Sequence, residues 1–156
     1  MSTMEPLCLL LNVNHKIFTK KEHLILEAVL FIRICDELKK IYRTIYKDYF
    51  HIMKFNIDKE NAMLEKSLIQ FTINDILSTE EYTAAGIAHY TNIHIDIIQE
   101  FASGLNTKPL AIYLRKIIEL HRLVRPDFYQ RISKKIINEL IKLKPLVPID
   151  PITNKT

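Results

Sequence analysis

Two cysteines and six histidines are the residues of this sequence best suited to nucleophilic or metal chemistry. Neither set has the spacing that such chemistry needs. Cys8 and Cys35 have no CxxC partner, and the histidines are scattered along the chain rather than grouped as a zinc quartet. A catalytic nucleophile needs a base within hydrogen-bond reach and a third group to orient that base. Ser103 has no neighbouring histidine, Cys35 falls in an apolar seam, and His121 stands beside Arg122 with no companion pattern. Each is expected to be structural or solvated. With no Gly-rich catalytic loop either, the sequence is expected to be no enzyme and to hold no metal or cofactor.

The charged residues offer a different chemistry. Residues 1–99 carry 11 basic and 13 acidic side chains, whereas residues 100–156 carry 11 basic against 5 acidic. The net charge of +4 is therefore concentrated in the C-terminal third. Such a field suits a polyanion, although a solvated basic surface is the commoner cause of an excess of this size. Asn106, Thr107 and Lys108 form one polar run, with Arg115 and Arg122 further on. These five are the candidate phosphate contacts, Thr107 because amides at a helix N-terminus point outward at an anion. Lys116 and Arg122 can equally be solvated or pair with Glu119. Tyr90 is read as a core-packing residue, with a phosphate contact as the alternative.

The elements that must position these groups are helices. With 2 Gly and 6 Pro against 48% hydrophobic residues, the composition favours long helices, and 156 residues suffice for one core without staples. The first helix is expected to open at Thr19, where Thr19 and Glu22 have capping-box spacing, and to run to at least Asn56. Within it Leu24, Ala28, Phe31, Cys35, Leu38, Tyr42, Ile45, Tyr49 and Ile52 alternate steps of four and three, a heptad seam. Its flanks hold Ile25, Ile32, Ile34, Ile41, Tyr46 and Met53, so the buried stripe is broad. The segment LILEAVLFIRI is apolar nearly all round, which a second copy of the chain would cover; burial within one chain is the alternative.

A second helix is expected from Asp58, as N-cap, through ENAMLEKSLIQFTINDIL, and Ser78 with Glu81 repeats the capping-box spacing. Short helices follow, one from Thr107 and Pro109 to about Leu123, and a last one opens at Pro126. The expected organisation is a helical dimerisation region over 1–77, a compact unit over 78–143, and a proline-rich disordered tail over 144–156. The apolar run LCLLLNV is too short to cross a membrane and lacks a basic flank, so neither a membrane nor secretion is expected. Unpaired cysteines point to the cytoplasm.

The stretch YTAAGIAHYTNIHIDIIQEFASG, from Tyr82 to Gly104, carries the most specific pattern. Two helices crossing steeply through a tight turn need a small residue where backbones touch, a turn residue tolerant of positive φ, and an aliphatic locking the second helix onto the first. Ala88, Asn92 and Ile98 stand at those places. With Thr83, Ile87, Ile93, Gly104 and Pro109, this resembles the lambda-repressor-like (XRE-type) helix-turn-helix family over roughly residues 75–123. Asn replaces the family's turn Gly, and one extra residue separates Gly104 from Pro109. The resemblance implies an all-α fold, with a long N-terminal helical pair ahead of a C-terminal helix-turn-helix bundle.

It further implies a transcriptional regulator that binds double-stranded DNA as a homodimer. The helix HIDIIQEFAS would lie in the major groove. His94 and Gln99 would read base edges, Ile95 would meet a thymine methyl, and Asp96 would turn to a cytosine amine. Asn106, Thr107 and Lys108 would follow the backbone. The alternative is a helical adaptor that keeps this fold and turns Ile95 and Ile97 to a protein partner.

Overall fold

The computed structural model describes residues 5, 8, 9, 13–44, 56–106 and 108–143. Among them seven α-helices follow a 3-10 turn at His15–Ile17: α1 (Lys20–Thr44), α2 (Ile57–Met63), α3 (Lys66–Leu77), α4 (Ala84–Thr91), α5 (Ile95–Ser103), α6 (Ala111–Val124) and α7 (Pro126–Leu143). The fold is all-helical. The reading of α1 beyond Thr44, the seam at Ile45, Tyr49 and Ile52, and the tail over 144–156 fall outside the described residues.

The centre is the pair α3 and α6. In α3, Leu68, Ile69, Thr72, Ile73 and Ile76 recur at helical spacing and are buried; in α6, Ala111, Leu114, Ile117, Ile118 and His121 do the same. α1 packs across both, α5 lies on α3, α4 lies on α5 and α6, and α2 and α7 add to α6. The core runs across position 77. Ile25 and Ala28 of α1 and Ile69, Ile73 and Ile76 of α3 share one apolar cluster with Ile87, Ile98, Phe101, Leu120 and Phe128. The two regions expected to meet at residue 77 therefore bury their apolar faces together.

The termini of α1 and α2 follow from local chemistry. At Thr19 the expected capping box forms: the Thr19 amide donates to Glu22 Oε2 at 2.7 Å, and the Glu22 amide donates to Thr19 Oγ1 at 3.3 Å. In α1, Ile25, Ala28 and Cys35 are buried, and Leu24, Leu26, Val29, Leu30, Phe31 and Ile32 pack against the same core. Much of the all-round apolar segment is thus covered within one chain, while Ile34 is 47% exposed.

Two expected boundaries move. The second helix is capped by Asn56 rather than Asp58, its Oδ1 accepting from the Lys59 amide, and it breaks at Leu64 and Glu65, both extended. The break frees α2 to aim Glu60 and Asn61 at α6, where Asn61 Oδ1 accepts from the Ala111 amide at 2.8 Å. Met63 is 59% exposed as a result. The Ser78–Glu81 box does not form: Ser78 closes α3 and donates its hydroxyl to the Asp75 carbonyl, and Glu80 has φ 61. The chain turns there, and Thr83 caps α4 instead, accepting from the Gly86 amide at 3.1 Å.

Asn92 occupies the turn between α4 and α5 with φ 51 and ψ 45, and the Ile93 amide closes back on the Ala88 carbonyl at 3.2 Å. Asn tolerates this left-handed conformation because its short side chain avoids the steric cost that a branched Cβ incurs. Asn92→Gly is expected to be neutral or slightly stabilising, and Asn92→Val to cost about 1–2 kcal/mol. Urea denaturation of both variants checks this, and equal stability would contradict the turn assignment.

Candidate nucleic-acid interface

α5 is fixed at both ends before any partner arrives. His94 caps it, its Nδ1 accepting from the Asp96 amide at 3.3 Å. At the far end Gly104 has φ 77, and the Leu105 amide reaches the Glu100 carbonyl at 2.8 Å. A Cβ at Gly104 would lie 2.8 Å from Gln70 Nε2, the movable end of a long side chain, so it is the left-handed φ rather than packing that favours glycine here. Asn74 Nδ2 of α3 donates to the Ala102 carbonyl at 3.2 Å, holding the end of α5 on the scaffold. Ile98 and Phe101 are buried beneath.

The outward face of α5 carries Asp96, Gln99, Glu100 and Ser103, all exposed, with His94 exposed at its start. Ile95 and Ile97 are half-buried, and Ile97 packs against the core. Their apolar surface is thus partly used within the chain. In the following loop, Asn106 Nδ2 donates to Glu100 Oε2 at 3.0 Å while its Oδ1 accepts from the Lys108 amide at 2.9 Å. Asn106 is thereby occupied at both ends of its amide, and it fixes the backbone that presents the exposed Lys108. Thr107 lies outside the described residues. Tyr90, read as a core residue, is 46% exposed: the packing positions of α4 are taken by Ile87 and Thr91.

Of the two arginines, only Arg122 stands open. It is exposed, with its guanidinium 5.8 Å from the centroid of the Tyr129 ring. Arg115 is engaged inside the chain. It donates to Asp36 Oδ1 at 2.6 Å and to the fully buried carboxylate of Glu60, which Lys39 also reaches. Two carboxylates offset its charge, so Arg115 is less open to a phosphate than Lys108 or Arg122. Burial, then the neighbouring Glu60 carboxylate, push the Cys35 thiol to about 11, so this cysteine stays protonated and inert near neutral pH.

A second polar network lies beneath. His121 is fully buried; its Nε2 is 3.0 Å from Asp75 Oδ2 and its Nδ1 is 2.8 Å from the Tyr129 hydroxyl. Arg125 donates to the same Asp75 oxygen at 2.8 Å. Burial works to raise the Asp75 carboxyl, but His121 and Arg125 outweigh it and hold it below the ordinary carboxylate value. Asp75 Oδ1 is buried without a hydrogen-bond donor, and the Lys21 ammonium stands 3.8 Å away. With a side chain 1% exposed at Asp75 and none exposed at His121, this triad has no access for a substrate and serves the core.

The sequence carried a signal for these networks. Asp75 stands between Ile73 and Ile76, and His121 falls at the spacing of Leu114 and Ile117, so both are ionisable residues in core register. No family model, curated protein or solved structure matches this chain. Among the described residues, no group of three His, Cys, Asp or Glu side chains is gathered to hold a metal ion, and no helix is long and apolar enough to cross a membrane.

Proposed function

We propose that this chain is a small transcriptional regulator that binds double-stranded DNA as a homodimer, with α4 and α5 as its helix-turn-helix. The observation that carries the reading is the left-handed Asn92 between two short helices locked by buried Ile87 and Ile98. The order of α3 ahead of the pair and α6 behind it fits the family that the sequence resembles. In this reading the start of α5 enters the major groove, Gln99 and His94 meet base edges, and Lys108 and Arg122 neutralise phosphates. Ile34 and Ile41, one heptad apart on α1 and both exposed, support pairing of two copies.

The acidic surface of α5 favours one rival. Asp96 and Glu100 repel phosphate, so an adaptor that presents α5 to a cationic protein partner is the second reading. A mobility shift on random duplex DNA at low salt separates them. Under the first, log K falls linearly with log salt, Lys108→Ala reduces that slope by about one unit, and Gln99→Ala leaves the slope intact while eroding one site by about 1–3 kcal/mol. Light scattering is expected to report twice 18.4 kDa. Absence of binding at low salt would move the assignment to the adaptor.

A further inference from the structure

The first turn of α1 and the first three turns of α7 line an open cavity of about 480 Å³ that is distinct from the face of α5. Lys20, Lys21, Arg125, Arg131 and Lys135 line it, against the single carboxylate of Glu22. Part of this charge is matched locally. Lys135 donates to Glu22 at 2.6 Å, Arg125 to Asp75 at 2.8 Å, and Arg131 to Asp127 at 3.3 Å. Lys20 and Lys21 are both exposed; Lys21 reaches only Asp75, at 3.8 Å, a carboxylate it shares with Arg125 and His121, and Lys20 has no ion pair among the described residues.

The arginines are held ready. The guanidinium groups of Arg125 and Arg131 lie 5.5 and 5.6 Å from the centroid of the Phe128 ring, which is itself buried. A guanidinium has five N–H donors in a fixed fork, so one carboxylate on Arg131 leaves others for a ligand. α1 and α7 also direct the positive ends of their dipoles to this region.

We propose that this cavity binds a small anion carrying two or more phosphate groups. Cations converging from two helices on one concave volume suit a compact ligand, whereas a duplex is tracked by cations spread along its backbone. The donors left over on Lys20, Arg125 and Arg131 come from two helices and outnumber what the three oxygens of one phosphate group accept together.

Calorimetric titration of the full chain at fixed ionic strength tests this, with pyrophosphate as the probe and with inorganic phosphate and random duplex DNA as parallel arms. Pyrophosphate is expected to bind at one site, and more tightly than phosphate. The double variant Lys20→Gln, Lys21→Gln is expected to weaken pyrophosphate by about tenfold or more, as is Arg131→Gln, while Lys59→Gln on α2 leaves it unchanged. Because Lys20 is exposed and has no ion pair among the described residues, thermal unfolding of Lys20→Gln alone without ligand should match the wild type, and a weaker pyrophosphate affinity in that single variant then separates lost binding from lost fold. The proposal is overturned by no binding of pyrophosphate at millimolar concentration, or by an equal loss in Lys59→Gln. A double variant that loses duplex affinity by the same factor would make these lysines backbone contacts and overturn it as well.

Discussion

Asp75→Ala is expected to lower the free energy of unfolding by about 3 kcal/mol, because it removes one partner of a buried pair and leaves the other desolvated. Asp75 anchors three groups: His121 at 3.0 Å, Arg125 at 2.8 Å and, through His121, the Tyr129 hydroxyl. Arg125 is partly exposed and also reaches Asp127 at 3.5 Å, so it regains partners easily. His121 has no exposed surface and does not. Asp75→Asn, which keeps an acceptor oxygen, is expected to cost less than Asp75→Ala. Urea denaturation at neutral pH provides both numbers, and a loss under 1 kcal/mol for Asp75→Ala would contradict the role of this carboxylate as the organiser of the network.

The same residue fixes a pH dependence. A carboxyl held below its ordinary value in the folded state contributes stability that is fully present above the ordinary value and is lost as pH falls through the lowered one. Glu22 acts in the same direction: burial raises its carboxyl, but Lys135 and the Thr19 amide together hold it below the usual range. Stability is therefore expected to fall as pH drops below about 4, and Asp75→Asn is expected to flatten that fall.

Arg115→Ala is expected to cost about 2 kcal/mol of stability and to leave the salt dependence of any DNA binding unchanged. Its guanidinium faces the fully buried Glu60, and with Arg115 gone only Lys39 remains on that carboxylate. Arg115→Lys is expected to recover part of the loss, since a single nitrogen, Nη2, meets both Glu60 and Asp36 and the shorter lysine side chain keeps only part of that contact. A variant of normal stability with a reduced salt slope would return Arg115 to the phosphate contacts.

What the sequence made legible was local. The capping box at Thr19 and Glu22, the left-handed turn at Asn92 and the helical class each depend on residues a few positions apart, where spacing alone dictates geometry. The departures have long-range causes. Arg115 reads as a free cation until α2 brings Glu60 to it from 55 positions away, and His121 lacks a companion until Asp75 arrives from 46. The break at Leu64 is of the same kind, since it serves a tether from Asn61 to Ala111. At Ser78 and Glu81 the spacing was right, but Glu80 turned the chain before a helix formed. Of the candidate interface, α5 was legible. The capture of Asn106 by Glu100 was not, because two polar groups six residues apart meet only once Gly104 has reversed the chain.

The most direct measurement is a titration of the ¹⁵N-labelled full chain with random duplex DNA at low salt, following backbone amides. If α5 and the loop after it meet the duplex, the amides of His94, Asp96, Gln99 and Lys108 move together while those of α2 stay in place. Unmoved amides throughout α5 at low salt, or shifts confined to Lys20 and Lys21, would contradict DNA recognition by this helix pair.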